Sequence, residues 1–189
     1  MPDRKLNLAI IIGTTREGRF GDKVARWFAH EAAQHSEYSV DLIDLVDIRL
    51  PAVHPKEPTP DVLAFRARLA PADAVVIVTP EYNHSYPAAL KHAIDQIKRE
   101  FMTKPVGFVS YGGVAGGLRA VEHLRNVFVE MHAMTVRDYV SFHMAQRKFD
   151  QTGNPIDPEG PRAAAKTMLD RLAWWGHALR NARKARPYV

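Results

Sequence analysis

A loop near the N-terminus combines hydroxyl and guanidinium groups in a pattern suited to phosphate binding. It runs from Gly13 to Gly21 and contains Thr14, Arg16 and Arg19. An apolar run precedes it and a helical pattern follows, so backbone N–H groups, the helix dipole and arginine side chains would face one anion. The alternative is that the threonines only cap the turn and Arg16 is a surface charge. Alone, the segment predicts a phosphorylated ligand without identifying it.

A second segment, residues 79–87, groups aromatic and polar side chains between two prolines. It contains Tyr82, Asn83, His84 and Tyr86. Proline restricts the backbone at both ends of the segment. A rigid loop that presents backbone N–H groups and an aromatic ring suits a flat aromatic ligand. The alternative is an ordinary surface turn with a tyrosine packed beneath it.

A third segment, residues 110–117, is unusually rich in glycine. Its sequence is Ser-Tyr-Gly-Gly-Val-Ala-Gly-Gly. Glycine permits the backbone to come close to a ligand, because no side chain intervenes. The alternative is a loop that simply needs positive φ angles. The segment follows a predicted strand and precedes a predicted helix, which favours the ligand interpretation.

The elements that must position these loops alternate along the chain. Short β-branched runs alternating with helical patterns predict a parallel sheet covered on both faces. In such sheets ligands bind beyond the carboxyl ends of the strands, near the reversal of strand order. All three loops follow predicted strands, so we expect them to meet. Trp174 is expected to pack on the sheet from the last helix. Predicted strands are 6–12, 38–45, 73–79, 105–110 and 135–140, and predicted helices are 23–34, 61–69, 87–99, 117–131 and 160–183.

The composition fits a protein that buries a sizeable core. The chain has 189 residues, 46% hydrophobic and 25% charged, with no cysteine. The lack of cysteine excludes disulfides, thiolate nucleophiles and cysteine-ligated metals. We expect one domain over residues 1–189, no signal peptide, no membrane segment and a cytoplasmic location.

The basic balance favours anionic substrates over nucleic acid. The net charge is +5, but the basic residues are spread along the chain. Their one cluster (Arg180, Arg183, Lys184 and Arg186) lacks interleaved aromatic side chains, so we expect no nucleic-acid partner.

The nine histidines form no His-Glu-x-x-His pattern, so no metal site is expected. The sequence also lacks the Gly-Lys-Ser/Thr of a P-loop, Gly-x-Gly-x-x-Gly and Gly-x-Ser-x-Gly.

The three loops together resemble those of the NADPH-dependent FMN reductase family, which also includes quinone, azo-dye and chromate reductases. The resemblance covers about residues 6–140 and implies an α/β, flavodoxin-like, doubly wound five-stranded parallel sheet with strand order 2-1-3-4-5. The matching segments are Gly13-Thr14-Thr15-Arg16, Pro80-Glu81-Tyr82-Asn83-His84-Ser85 with Pro87-Ala88-Ala89-Leu90-Lys91, and Ser110-Tyr111-Gly112-Gly113 with Gly116-Gly117.

The resemblance also implies which residues hold FMN. The first loop would hold the phosphate, and the other two would lie along the isoalloxazine ring. The implied phosphate residues are Thr14 and Arg16, with Phe20 and Gly21 nearby, and the implied ring residues are Pro80, Glu81, Tyr82, Asn83, Ser110, Gly112 and Gly113. The loop departs from the family at two positions, because many members have serine in place of Arg19 and a polar residue, often asparagine, in place of Gly21. The Arg19 guanidinium can compensate by pairing with phosphate through two hydrogen bonds. The alternative is that it points to solvent, which would leave FMN binding weaker than usual in the family.

The implied function is an FMN-dependent NAD(P)H oxidoreductase. NADPH or NADH would reduce the flavin and leave, and a quinone, flavin or similar small acceptor would then take its place, which is ping-pong kinetics. The cofactor would carry the chemistry, so no side chain is predicted as a catalytic acid or base. Family members form homodimers or homotetramers, with residues 48–60 and the helix after Pro87 as implied contact regions. The alternatives are a flavodoxin-type electron carrier, disfavoured by the basic charge, and a flavin or redox sensor without turnover.

Overall fold

The computed structural model describes residues 4–188. Apolar, β-branched runs form the three central strands, which are buried on both faces, while the two edge strands are partly exposed. Amphipathic segments between the strands form helices. The strands are β1 (Leu6–Ile12), β2 (Tyr38–Asp44), β3 (Ala74–Pro80), β4 (Pro105–Tyr111) and β5 (Met134–Phe142). The α-helices are α1 (Gly21–Gln34), α2 (Pro60–Leu69), α3 (Ala88–Asp95), α4 (Leu118–Glu130) and α5 (Glu159–Ala185).

All neighbouring strands of the sheet are parallel, in the order β2-β1-β3-β4-β5. This confirms the predicted fold class and strand order. The chain runs outward from β1 in one direction to β2, and then in the other direction through β3 to β5. The order therefore reverses at β1 and β3, and all carboxyl ends meet at one edge of the sheet.

Two hydrophobic clusters cover the two faces of the sheet. One buries Val24 and Phe28 of α1 together with Met168 and Leu172 of α5. The other lies beneath α2, α3 and α4 and includes the fully buried Phe128. The sheet is thus held between two helical layers, which fixes the positions of the loops at its edge.

The last helix lies closely against the sheet, in a rotation that the sequence did not reveal. A Cβ at Gly176 would lie 2.9 Å from a methyl carbon of Leu6, so the absence of a side chain lets α5 approach β1. In this rotation of the helix, Leu172 and Ala173 are buried on the side that faces the sheet. The expectation for Trp174 is wrong, since 63% of it is exposed.

The third helix is shorter than predicted. It ends at Asp95 rather than near Arg99, and its last turn closes with N–H to carbonyl bonds from Gln96 to Ala93 and from Ile97 to Ile94. Beyond that point Ile97 is buried in a non-helical turn. Packing of this segment against the core has outweighed its helical pattern, as tertiary contacts commonly do.

Candidate functional site

A cavity of about 520 Å³ opens at the carboxyl edge of the sheet. The loops after β1, β3, β4 and β5 form its walls. Its size falls within the range of small-molecule and cofactor sites. Eight residues predicted from the sequence line it: Arg16, Arg19, Phe20, Pro80, Glu81, Tyr82, Gly112 and Gly113.

Four other predicted residues lie outside the lining. Thr14 is fully buried beneath the first loop, and its hydroxyl lies 2.9 Å from that of Tyr82. Ser110 is fully buried at the end of β4. Gly21 is buried at the first position of α1, and Asn83 is exposed at the tip of the second loop. The structure brings these residues to the margins of the cavity rather than to its surface.

The two arginines of the first loop have different environments. Arg16 is exposed and lines the cavity, and its side chain has no hydrogen bond or ion pair with residues 4–188. The half-buried Arg19 side chain pairs with both carboxylate oxygens of Asp44 and donates to the Thr14 carbonyl at 2.8 Å. The hydrogen bond to Asp44 raises the pKa of Arg19. Arg19 thus ties its loop to the end of β2, while Arg16 is available to an anion.

Tyr111 is a cavity residue within the Ser-Tyr-Gly-Gly segment, and it was not predicted as a ligand residue. It ends β4, lines the cavity and is only 6% exposed. Its hydroxyl has no hydrogen-bond partner among the described residues. An unpartnered buried hydroxyl costs about 1–3 kcal/mol. Burial raises the pKa of Tyr111, so the hydroxyl stays protonated and remains a donor.

The second loop is fixed to the start of α4. The Glu81 carboxylate accepts hydrogen bonds from the Arg119 guanidinium at 2.6 Å and the Arg119 backbone N–H at 3.2 Å. Tyr82 and Ser85 exchange backbone hydrogen bonds, and Asn83 between them has a positive φ of 49°. The loop is therefore a closed turn held at both ends, as the two prolines predicted.

The glycine-rich third loop is packed against the segment after β5. The Gly112 and Gly113 carbonyls accept hydrogen bonds from the Ala145 and Met144 backbone N–H groups at 3.0 and 2.8 Å. Ser110 donates its hydroxyl to the Gly116 carbonyl at 2.8 Å, so this hydroxyl serves the loop itself. The loop presents backbone to the cavity, because its two lining glycines carry no side chain.

The fourth wall of the cavity was not predicted. Met144, Ala145, Gln146 and Arg147 line it, in a short 3-10 helix after β5. The sequence showed here only the start of a polar loop. The segment lies beyond the carboxyl end of β5, where ligands of parallel sheets bind, and this position is the signal in the sequence that points to it.

Two further classes of site find no support in residues 4–188. No group of three or more histidine, aspartate or glutamate side chains is arranged to hold a metal ion in that range. Over the same residues, no helix has the length and apolar character needed to cross a membrane. The cavity is consequently the feature from which function can be argued.

Comparison with known proteins matches both the sequence and the fold. The model of the family described as NADPH-dependent FMN reductase matches residues 6–147. A quinone reductase of Escherichia coli K12 is 38% identical over 163 residues, covering 81% of this chain and 86% of the relative. A 2-hydroxy-1,4-benzoquinone reductase of Burkholderia is 31% identical over 179 residues, covering 90% and 96%.

A solved structure of similar fold is FerB, a flavoenzyme NAD(P)H:(acceptor) oxidoreductase from Paracoccus denitrificans. Its TM-score is 0.74, with 92% of this chain and 98% of FerB covered. The sequence identity is 20%, so this likeness supports the fold alone.

Proposed function

Since this chain belongs to the NADPH-dependent FMN reductase family, we propose that it is an FMN-dependent NAD(P)H oxidoreductase that reduces a quinone, a flavin or a similar small acceptor. The observation that carries the proposal is the cavity at the point where strand order reverses. Three of its four walls are the loops whose sequences resemble the family, and its position is the one that open parallel sheets use for ligands.

The phosphate end of FMN fits the first loop. Helix α1 begins there at Gly21 without a side-chain cap from the described residues, so its first N–H groups remain for a ligand. Within the described part of the chain, Arg16 supplies a guanidinium without a partner, and Tyr111 a buried hydroxyl without one. Thr14 supports the site from below, through its contact with the Tyr82 hydroxyl.

The ring end of FMN fits between the second and third loops. Pro80, Glu81 and Tyr82 form one wall, and Gly112 and Gly113 the other. Glu81 holds its wall in place through Arg119, while the glycines let the backbone approach a flat ring. Asn83 and Ser110 contribute through the shape of their loops, and Phe20 packs against Tyr111 with ring centroids 6.1 Å apart.

The bound flavin supplies the redox chemistry, since flavins accept a hydride from nicotinamide and pass electrons to a second substrate. This chain's own residues bind and orient the ring and leave the cavity open to a substrate. One open face would serve both substrates in turn, which supports the ping-pong order. No side chain is needed as a general acid or base under this proposal.

The test is steady-state turnover by FMN-loaded protein with NADPH or NADH and a benzoquinone. We expect catalytic oxidation of the nicotinamide and parallel lines in double-reciprocal plots at several quinone concentrations. A single stoichiometric reduction without turnover would favour an electron carrier or sensor. Failure of purified protein to bind added FMN would contradict the proposal altogether.

The proposal includes a cytoplasmic homodimer or homotetramer. It is supported by the family and by residues 48–60, which project a 79% exposed Val53. This segment is attached to α3 and the turn after it, since His92 contacts the Pro51 carbonyl at 2.9 Å and Gln96 contacts His54 at 3.1 Å. Sedimentation analysis of the purified protein measures the oligomeric state directly.

A further inference from the structure

The cavity is lined by a tyrosine, Tyr111, to which the family resemblance assigned no role in ligand binding. The Tyr111 side chain is buried, yet its hydroxyl has no hydrogen-bond partner among residues 4–188. Tyr111 lines the cavity, while its hydroxyl oxygen is buried beside Gly21 and Thr14. Buried polar groups in native proteins are nearly always paired, so an unpaired one next to a cavity and a helix N-terminus points to a ligand atom. The question is which atom of the ligand it would meet.

The hydroxyl lies against the first residue of α1. A Cβ built on Gly21 would be 2.5 Å from the Tyr111 hydroxyl oxygen and 2.8 Å from a methyl carbon of Thr14. No real Cβ comes that close to another atom, so the tyrosine occupies the space where a side chain at position 21 would stand. Gly21 has an ordinary helical position, and its φ is not among the positive values of the chain. The glycine is therefore explained by this close approach and not by backbone conformation.

The surroundings of the hydroxyl favour an anion. The positive end of the α1 dipole lies there, and the Arg16 side chain, which lines the same cavity, has no partner among residues 4–188. A neutral tyrosine can only be useful to an anion as a hydrogen-bond donor, and burial keeps this one protonated. A phosphate needs several such donors.

We propose that the Tyr111 hydroxyl donates a hydrogen bond to the phosphate of the bound flavin nucleotide, and that Gly21 leaves the space on α1 that this hydroxyl occupies. The inference rests on the proposed function, because it takes the phosphate to be that of FMN. It adds a ligand residue and gives a physical reason for the unusual glycine.

Asp22 offers a competing partner for the hydroxyl. It is the acidic residue in the first turn of α1, and one of its carboxylate oxygens is also buried without a hydrogen-bond partner in residues 4–188. If the hydroxyl served only to pair with this carboxylate, its removal would weaken the protein without FMN. If it serves phosphate, its removal leaves the apoprotein as stable as before.

The experiment compares FMN with riboflavin, which lacks the phosphate, in wild type and Tyr111→Phe. Dissociation constants come from quenching of flavin fluorescence by the apoprotein. We expect Y111F to weaken FMN binding about 10- to 100-fold, as for loss of a charge-assisted hydrogen bond, and to leave riboflavin binding unchanged. The melting temperature of the apoprotein should be unchanged or higher. Tyr139→Phe, on the exposed edge strand β5, is the matched control and should change none of these values.

A second variant keeps the inference testable if Y111F is poorly folded. Gly21→Ala should push the hydroxyl away and lower both apoprotein stability and FMN affinity. In the double variant G21A/Y111F the stability loss should shrink, because the hydroxyl is gone, while FMN affinity stays low.

The outcomes separate this inference from the proposed function. Suppose that the wild type binds FMN. If Y111F then loses FMN and riboflavin affinity equally, or loses neither, the Tyr111 contact alone is overturned. A lower melting temperature of the Y111F apoprotein assigns the hydroxyl to Asp22 and also overturns it. Absence of FMN binding by the wild type contradicts the proposed function and the inference together.

Discussion

At the scale of single residues, the two arginine side chains of the first loop have different roles, although they are chemically identical. Arg16 and Arg19 are three positions apart, yet among residues 4–188 only Arg19 is paired, with Asp44 and with the Thr14 carbonyl. An arginine that already makes two bonds to a carboxylate has little to offer a phosphate. Arg19 therefore fits a role in holding the loop in shape, whereas Arg16 fits direct binding.

The arginines can be separated by three substitutions. We expect Arg16→Ala to weaken FMN binding about 10- to 100-fold, because it removes a charged hydrogen bond. Arg19→Ala should weaken it less, with an unchanged fold. Asp44→Asn should resemble Arg19→Ala, since either change releases the loop from β2. Fluorescence titration with FMN measures all three affinities.

The Asp44 variant decides between the two roles of Arg19. Tighter FMN binding by D44N would mean that the freed guanidinium reaches the phosphate, which contradicts the role in loop shape. Circular dichroism of each variant is the control for folding.

At the scale of secondary-structure elements, the C-terminal half of α5 is fixed to the sheet by a buried carboxylate. Asp73, just before β3, accepts hydrogen bonds from Arg4 at 2.9 Å and the Asn7 backbone at 3.0 Å. It also forms ion pairs with Arg180 and Arg183 of α5, at 3.8 and 3.5 Å. Two members of the basic cluster that raised the nucleic-acid question are thus engaged within the protein, and Arg180 is only 3% exposed.

Asp73→Asn should destabilise the protein by about 3–5 kcal/mol, because it breaks ion pairs at a carboxylate that is itself only 5% exposed. Urea denaturation measures this loss. Asp170→Asn on the same helix is the control, since Asp170 forms partly exposed pairs with Lys166 and His35 and should cost about 1 kcal/mol or less. Equal losses in the two variants would contradict a structural role specific to Asp73.

At the scale of the whole molecule, the cavity joins four loops that are far apart in sequence. Its walls come from the ends of β1, β3, β4 and β5, with further attachments to β2 through Arg19 and to α4 through Glu81. A ligand bound there contacts much of one sheet edge and binds only the folded chain. Folding and FMN binding should therefore be linked.

FMN at 100 times its dissociation constant should stabilise the protein by about 2.7 kcal/mol. For a chain of this size, that corresponds to a rise in melting temperature of about 5–10 °C. Differential scanning fluorimetry at increasing FMN concentration measures the shift. ATP at the same concentrations is the control for a general effect of phosphates, and an equal shift with ATP would contradict a specific flavin site.

The sequence determined the architecture of this protein because its information there is local. Five strands, their order by resemblance, and three loops with unusual composition were readable from patterns that span a few residues each. Eight of the predicted site residues indeed line one cavity. The predicted boundaries differed most where packing outweighed pattern, as at Ile97 after α3.

Only the tertiary structure decided which side chains of the loops face the cavity. The pairing of Arg19 with Asp44 joins residues 25 positions apart. The close approach of Tyr111 to Gly21 joins the end of β4 to the start of α1. Neither contact leaves a signal in local periodicity or composition. The exposure of Trp174 likewise depends on the rotation of α5, which Gly176 and Leu6 set across the sheet. These features are fixed by packing between residues that are far apart in the sequence, and local sequence patterns carry no information about such packing.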